Sequence, residues 1–157
     1  MNFRSEVYQL SHDADFLKLS FLYKEIAVGS AKAQFNWDQR SALEEIRAAK
    51  NLVFRIDDVL RAFISFRVFS DRIEITSLGT KPNFRNQGLG KIMINQLKIY
   101  AAEHGFSLWL EVHEGNQTAL NLYIKLGFKL FHRRKRYYSD GADAIGMHFR
   151  IESHIQS

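Results

Sequence analysis

The fold of this chain is decided by the stretch Arg85-Asn86-Gln87-Gly88-Leu89-Gly90, which lies between a β-rich segment and an amphipathic helix. The β-rich segment, residues 74–82, ends at Pro82, the only proline of the chain. After the glycines, apolar residues recur at spacings of three and four, and this periodicity predicts a helix with one buried face. They are Leu89, Ile92, Met93, Leu97, Tyr100 and Ala101. The helix is therefore expected to begin at the glycines, and Gly105 can end it as a left-handed cap.

Two glycines at the start of a helix favour a binding site for a pyrophosphate. Gly88 and Gly90 allow the backbone to come close to a ligand, and the N–H groups of the first turn lack partners within the helix. An ordinary turn from a loop into a helix can carry the same glycines. The stretch lacks the Lys-Ser/Thr pair of a P-loop, and it lacks the third glycine and downstream acidic residue of a dinucleotide-binding turn.

What remains, Arg-x-x-Gly-x-Gly after a strand that ends in x-Pro, resembles the acetyl-CoA pyrophosphate loop of the GNAT superfamily of N-acetyltransferases. The resemblance covers roughly residues 35 to 150 and is dense only from residue 74 onward. Several segments look like the bacterial ribosomal-protein alanine N-acetyltransferase branch. They are Phe35-Asn36-Trp37, with asparagine where proline is usual, Leu108-Trp109-Leu110-Glu111-Val112, Asn116-x-x-Ala119-x-x-Leu122-Tyr123-x-Lys125-Leu126-Gly127-Phe128, Arg136-Tyr137-Tyr138 and Asp140-Gly141-x-Asp143-Ala144-x-x-Met147.

The resemblance implies that acetyl-CoA is the cosubstrate. No metal site is expected, because the histidines other than His113 show no ligand spacing. The residues implied for acetyl-CoA binding are Leu78, Gly79, Thr80, Arg85, Asn86, Gln87, Gly88, Leu89, Gly90, Lys91, Asn116 and Tyr123. For the oxyanion of the reaction the sequence offers no obvious side chain. By resemblance the donor is a backbone N–H near Leu78 to Thr80, where the strand of the family bulges and its free edge meets the pantetheine amides.

Acetyl transfer to an amine needs a neutral nucleophile, a stabilised oxyanion and a proton for the departing thiolate. Glu111 is a candidate base because it lies near the end of the strand after the glycine helix, at the edge where ligands collect in open α/β sheets. By resemblance it falls on the general base of the branch. It could instead cap the next helix or pair with a nearby lysine. His113 shares a strand face with Glu111 and could relay a proton, although a surface histidine is the alternative.

Glu74 is the alternative base, because it matches the glutamate that several lysine-directed members of the superfamily use. Otherwise Glu74 is a solvent-facing strand residue.

Tyr123 is the candidate acid, since a hydroxyl with a pKa near ~10 can pass a proton to a thiolate whose conjugate acid has a pKa near ~8.5. The alternative for Tyr123 is a core tyrosine. Asn116 could cap its helix, bind the pantetheine arm, or do both.

Composition favours one compact domain over residues 1–157, because 46% hydrophobic and 13% aromatic residues can fill a core of that size. The chain has no cysteine, which excludes disulfides and a cysteine nucleophile, and it has no apolar run of ~20 residues. We therefore expect a soluble, cytoplasmic protein without membrane contact.

The net charge of +5 and the run Arg133-Arg134-Lys135-Arg136 raise the possibility of nucleic-acid binding. A solvated basic face, or local charge for a polyanionic cofactor, accounts for both without it.

The predicted fold class is α/β (α+β): a single GNAT-like domain with a mixed, mostly antiparallel sheet of about six to seven strands and helices on both faces. The predicted strands are 3–10, 51–56, 59–69, 72–80, 107–112, 128–131 and 144–150, and the predicted helices are 13–28, 38–49, the glycine helix that ends before residue 105, and 116–126.

The expected function is transfer of acetyl from acetyl-CoA to the N-terminal α-amine of a protein, beginning with Ala or Ser by resemblance, and possible partners include a ribosomal protein. An α-amine has a pKa near ~7.7 to 8.0 against ~10.4 for lysine, so neutralising it at pH 7 costs roughly 3 to 4 kcal/mol less. The alternatives are an acetyltransferase for lysine or a small amine, and a non-catalytic acyl-CoA-binding module.

Overall fold

The structure of this protein is a computed structural model that describes residues 5–9, 13–28 and 39–151. Asp38, the first residue of the predicted second helix, and the segment Phe35-Asn36-Trp37 lie outside these ranges. Within them the chain forms seven strands and four α-helices. The strands are β1 (Ser5–Gln9), β2 (Lys50–Ile56), β3 (Val59–Val68), β4 (Arg72–Thr80), β5 (Ser107–His113), β6 (Lys129–Arg134) and β7 (Ala144–Phe149). The helices are α1 (Asp13–Val28), α2 (Gln39–Ala48), α3 (Leu89–His104) and α4 (Gln117–Lys125).

The strands follow the order β1-β2-β3-β4-β5-β7-β6 in the sheet. Strands β4 and β5 pair in parallel, whereas β1 with β2, β2 with β3, β5 with β7, and β6 with β7 pair antiparallel. The predicted mixed, mostly antiparallel sheet is therefore confirmed. Strand β6 was predicted too short, because it continues past Phe131 to Arg134. Its charged residues are compatible with a strand because β6 is the last strand of the sheet, where charged side chains are common.

Helix α3 begins at Leu89, directly after Gly88, as the glycine pattern predicted. Its buried residues are Leu89, Met93, Ile94, Leu97 and Ala101. The prediction was wrong for Ile92, which is 38% exposed. At 3.6 residues per turn Ile92 lies outside the arc that these residues share, whereas Ile94 lies within it. Gly105 ends the helix at a φ of 69°, and the N–H of Phe106 donates to the Ala101 carbonyl at 2.9 Å, which confirms the predicted left-handed cap.

Internal contacts divide the chain into two compact units. The first comprises the described residues up to Arg67 together with 76–95, and the second comprises residues 68–75 and 96–151. The core of the first unit joins α1 and α2 to β2 and β3 through Leu19, Leu22, Tyr23, Ala42, Ile46, Val53 and Phe63.

A chain of buried hydrogen bonds crosses the core of the first unit. The Tyr23 hydroxyl lies 2.7 Å from the Oγ atoms of both Ser65 and Ser77, and Ser65 Oγ donates to Asn51 Oδ1 at 2.6 Å. Asn51 in turn donates to the Ile46 carbonyl at 2.7 Å. Burial raises the pKa of Tyr23 to about 12, so the hydroxyl keeps its proton. The network therefore links α1 to three neighbouring strands, β2, β3 and β4.

Candidate active site

The glycine loop before α3 has an exposed backbone of unusual conformation. Asn86 and Gly88 have φ angles of 62° and 77°, in the left-handed region that glycine and asparagine tolerate. The first helical hydrogen bond of α3 runs from Ile92 N to the Gly88 carbonyl at 3.1 Å, so the N–H groups before Ile92 have no partner within the helix. Residues 85–88 are exposed, while Leu89 is buried and anchors the loop.

This loop fits a pyrophosphate. A Cβ placed on Gly88 would meet no atom of the described residues within 4 Å, so as far as these residues reach, the space beside the Gly88 backbone is open to a ligand. The positive end of a 16-residue helix dipole begins at the same point, where it favours an anion. The residues that would hold the phosphates are those predicted for them, Arg85 to Lys91.

A contact between Arg61 and Phe84 supports this loop from within the first unit. The Arg61 guanidinium carbon lies 4.0 Å from the centre of the Phe84 ring, and Lys81 N donates to the Arg61 carbonyl at 2.7 Å. Phe84 ends the short 3-10 turn Pro82–Phe84 that leads into Arg85. Arg61 was missed in the sequence because no local pattern indicates that β3 meets this turn.

The end of β4 carries the residues implied for the pantetheine arm. Gly79 is buried between Leu78 and Thr80, which are half-buried. A backbone donor for the oxyanion among these three residues stays a prediction.

Glu111 lies on β5 in the second unit. The strand alternates between buried Leu108, Leu110 and Val112 and a second face that carries Trp109 and Glu111. Glu111 Oε1 forms an ion pair with Arg134 Nη2 at 3.0 Å, and the Glu111 side chain is 31% exposed. The guanidinium of Arg134 also lies 5.3 Å from the centre of the Tyr137 ring. The carboxylate is thus at the surface with an arginine partner, rather than the lysine partner or helix-capping role that the sequence left open.

His113 is buried rather than a surface histidine, with 9% of its surface exposed. Its Nδ1 accepts a hydrogen bond from Gly115 N at 2.9 Å, so the neutral ring carries its proton on Nε2, which donates to Asp140 Oδ2 at 2.7 Å. Both ring nitrogens are therefore engaged, which disfavours the relay that the sequence suggested for His113. The Tyr138 ring lies 4.8 Å from the imidazole.

The loop between β6 and β7 is held by its own acidic residues. Asp143 accepts hydrogen bonds from Arg133 Nη1 at 2.8 Å and from Arg136 N at 2.9 Å, and Asp140 accepts one from Ala142 N at 2.9 Å. Tyr138 lies in this loop, and burial, together with the nearby negative charge of Glu111, raises the pKa of Tyr138 to about 12. The loop therefore presents a protonated phenol near the candidate base.

Tyr123 lies on α4 and is buried, with 7% of its surface exposed. Its ring packs against Phe128 at a centroid distance of 5.5 Å, and burial raises the pKa of Tyr123. Among the residues that the structure describes, none forms a hydrogen bond with its hydroxyl. Asn116 caps this helix, since its Oδ1 accepts a hydrogen bond from Ala119 N at 3.2 Å. The capping role predicted for Asn116 is confirmed.

The alternative base, Glu74, lies on β4 and pairs with Arg72 at 3.0 Å, with 39% of its side chain exposed. The Arg72 guanidinium lies 4.9 Å from the Trp109 ring, which is the register partner of Glu74 on β5. Glu74 thus has the surroundings of a solvent-facing strand residue. A role as base stays an alternative.

The model of the acetyltransferase (GNAT) family matches residues 9–128 of this chain. The chain belongs to the GNAT family. The [ribosomal protein bS18]-alanine N-acetyltransferase of Escherichia coli strain K12 is 30% identical over 118 residues, which are 72% of this chain and 80% of that protein. The Salmonella typhimurium strain LT2 enzyme of the same name is 34% identical over 89 residues, which are 56% of this chain and 60% of that protein. The crystal structure of the ribosomal-protein-S18-alanine N-acetyltransferase from Escherichia coli superposes with a TM-score of 0.82 at 25% identity, over 95% of each chain.

As a GNAT member the chain is an N-acetyltransferase that uses acetyl-CoA as its cosubstrate. The predicted family, fold class, enzyme class and cosubstrate are therefore confirmed. The residues implied for the pantetheine edge and the pyrophosphate loop, Leu78 to Lys91, lie in the first unit, whereas Glu111, Asn116 and Tyr123 lie in the second.

Across the ranges 5–9, 13–28 and 39–151, no cluster of three or more His, Cys, Asp or Glu side chains could hold a metal ion. The helices within the same ranges include none long and apolar enough to span a membrane.

Proposed function

We propose that this GNAT enzyme acetylates the α-amine of a protein N-terminus that begins with Ala or Ser, with Glu111 as general base and Tyr123 as general acid. The acceptor is supported by the two relatives whose names specify alanine of ribosomal protein bS18, and such a ribosomal protein is the partner we favour. We also propose that residues 1–157 act as one N-acetyltransferase domain, because the family model runs through parts of both compact units.

The observation that carries the chemical proposal is the state of Tyr123. Tyr123 is a buried core residue, and no described residue forms a hydrogen bond with its hydroxyl, so no described contact explains a tyrosine rather than a phenylalanine at this position. Because burial raises its pKa, the hydroxyl is protonated at neutral pH. Bound acetyl-CoA supplies the activated acetyl thioester, and Tyr123 holds the proton that the departing sulfur needs.

Glu111 takes the second proton of the reaction. An acceptor amine arrives as an ammonium ion, and its charge can replace the Arg134 guanidinium beside the Glu111 carboxylate. The carboxylate then accepts a proton and leaves a neutral amine. An α-amine requires less help from the base than lysine does, because its pKa lies only about one unit above neutral pH.

A peptide panel tests the acceptor class. Peptides that begin with Ala or Ser and contain an internal lysine are incubated with acetyl-CoA, each with a free and with a blocked N-terminus, and acetylation is located by mass spectrometry. We expect one acetyl group at the free N-terminus and none on the blocked peptide. Lysine acetylation of the blocked peptide would contradict the proposal and favour Glu74 as the base.

A further inference from the structure

Gly146 on β7 separates Glu111 from a histidine on the neighbouring strand. Gly146 pairs with Glu111 of β5 on one side and with His132 of β6 on the other. Residues paired directly across strands point to the same face of a sheet. The side chains of Glu111 and His132 therefore lie on one face, with only a glycine between them.

The ring of His132 fills the space above Gly146. A Cβ at position 146 would lie 2.5 Å from His132 Nδ1 and 2.9 Å from His132 Nε2, closer than real Cβ contacts allow. The register of β6 shifts between Leu130 and His132, and such a bulge re-aims the side chains beside it. The Phe131 ring packs edge-on against the imidazole at 4.1 Å. The imidazole is therefore held over Gly146 by packing, and any larger residue at 146 would displace it.

His132 differs from His113 in its hydrogen bonding. No residue in the described part of the chain forms a hydrogen bond with either ring nitrogen of His132, whereas both nitrogens of His113 are engaged. His148, which follows on β7, stacks on Phe131 at 5.3 Å, and burial lowers its pKa. His132 is partly exposed, so its free nitrogens can reach water.

Neighbouring strands are about 4.8 Å apart, so a ring above Gly146 lies about one strand spacing from Glu111. At this separation the imidazole and the Glu111 carboxylate can be joined by a single bridging water. They can also make a direct contact after a rotamer change. Among the described residues, the charged and titratable groups that strand register places beside the imidazole are Glu111 from β5, Arg134 from β6 itself and His148 from β7. Glu111 is the one carboxylate among them.

We propose that His132 relays the proton of the acetyl-transfer reaction from Glu111 to solvent. This inference rests on the function proposed above. An N–H bond of the acceptor ammonium breaks as an O–H bond forms on Glu111. That O–H bond then breaks as an N–H bond forms on the imidazole of His132, and the imidazolium releases its proton to water. Glu111 returns to its ionised form and pairs again with Arg134, ready for the next acceptor.

The relay is tested by chemical rescue. His132→Ala leaves, above Gly146, a gap of about one imidazole ring, so kcat/KM for an Ala-initiated peptide should fall about tenfold and recover several-fold when free imidazole is added. Gly146→Ala retains the histidine but displaces its ring, and the new methyl group occupies the gap. The Gly146→Ala variant should therefore show a similar fall in kcat/KM that added imidazole does not restore. His148→Ala is the control for loss of an imidazole from the same sheet, and imidazole should not stimulate it.

A wild-type rate for His132→Ala, or a loss that imidazole does not restore, would overturn the relay. A second measurement is independent of turnover. The imidazole Cε1–H signal of His132, assigned by its absence in His132→Ala, should shift in the Glu111→Gln variant, whereas the signal of His104 should not. An unmoved His132 signal also overturns the relay. If the wild type acetylates no peptide α-amine, the proposed function fails instead, and the NMR comparison still decides whether His132 senses Glu111.

Discussion

Glu111 and Arg134 form an ion pair across the strands β5 and β6, with 3.0 Å between Oε1 and Nη2. Both side chains are partly exposed, so the pair contributes at most about 1 kcal/mol. An incoming ammonium ion can therefore displace the arginine at little cost. The pair holds the carboxylate in place while leaving it available to an acceptor.

Removing the arginine should help the acceptor to bind. In Arg134→Met the peptide ammonium no longer competes with a guanidinium, so KM for the peptide should fall by up to about fivefold, the equivalent of about 1 kcal/mol. The carboxylate remains, so kcat should change little. Steady-state kinetics at low salt measure both constants. Arg67→Met, which breaks the exposed ion pair between Arg67 and Glu45 in the first unit, is the matched control. A loss of kcat beyond tenfold would instead make Arg134 a residue that positions Glu111.

Replacing Tyr123 by phenylalanine separates catalysis from packing. The variant retains the ring contact with Phe128 and removes a hydroxyl without a described partner, so stability should change little. Acetyl-CoA affinity should hold within a few-fold, whereas kcat should fall by roughly 10² or more, the scale of general acid catalysis. Calorimetry and steady-state kinetics check the two expectations. Tyr100→Phe is the control, and a Tyr123→Phe enzyme with the wild-type rate would show that the hydroxyl is structural.

Two glycines of similar conformation test the pyrophosphate loop. Gly88 and Gly105 have φ angles of 77° and 69°, and a Cβ on either would meet no atom of the described chain within 4 Å. Alanine at either position should therefore cost a similar backbone strain of about 1–2 kcal/mol. Only Gly88→Ala places a methyl group in the loop that we propose holds the pyrophosphate, so it alone should weaken acetyl-CoA binding, by about tenfold in calorimetry. Equal affinities of the two variants for acetyl-CoA would contradict the assignment of the glycine loop to the binding site.

The two candidate bases are distinguished by the pH dependence of their variants. Glu111→Gln should lower kcat at neutral pH, and raising the pH should restore part of the rate, because more of the acceptor amine is then neutral without a base. Glu74→Gln changes a carboxylate that pairs with Arg72 and should leave the profile close to wild type. Rates between pH 6.5 and 9.5 decide between them. If instead kcat of Glu74→Gln recovers at high pH while Glu111→Gln has the wild-type profile, the base is Glu74.

Asp143 should stabilise the loop between β6 and β7 except at low pH. Its hydrogen bonds with the Arg133 side chain and the backbone N–H of Arg136 hold the pKa of the carboxyl below its usual range. A lowered pKa in the folded state contributes stability that is present above the unfolded value, near ~3.9, and that is lost as the pH falls through the folded value. Asp143→Asn should therefore lower Tm at pH 7, and the difference from wild type should shrink towards pH 3. A difference that does not depend on pH would assign the effect to lost packing.

The parts of this structure that depend on local sequence could be predicted. The start of α3 after Gly88, its end at Gly105 and the cap at Asn116 each follow from a few neighbouring residues, and all three were correct. The strand from Arg72 to Thr80 was also bounded correctly, because alternation and Pro82 mark its extent. These signals are local because backbone conformation and capping involve neighbouring residues along the chain.

The parts that depend on long-range pairing could not be predicted. Nothing in the sequence shows that β7 enters the sheet between β5 and β6, and that insertion is what places Gly146 beside both Glu111 and His132. The burial of His113 and the pairing of Glu111 with Arg134 are equally non-local. The basic run that contains Arg134 was interpreted as a solvated face, although it supplies the partner of the candidate base.

The buried hydrogen bonds of Tyr23 have a consequence for how the chain reaches its native strand alignment. Ser65 on β3 and Ser77 on β4 both meet one hydroxyl, which requires each strand to present its serine inward. A slip of one residue in either strand would turn that serine to the opposite face and leave the Tyr23 hydroxyl short of a partner in an apolar core. A misaligned sheet would thus carry an energetic penalty that the native alignment avoids, so these buried polar groups help to specify the register of β3 and β4.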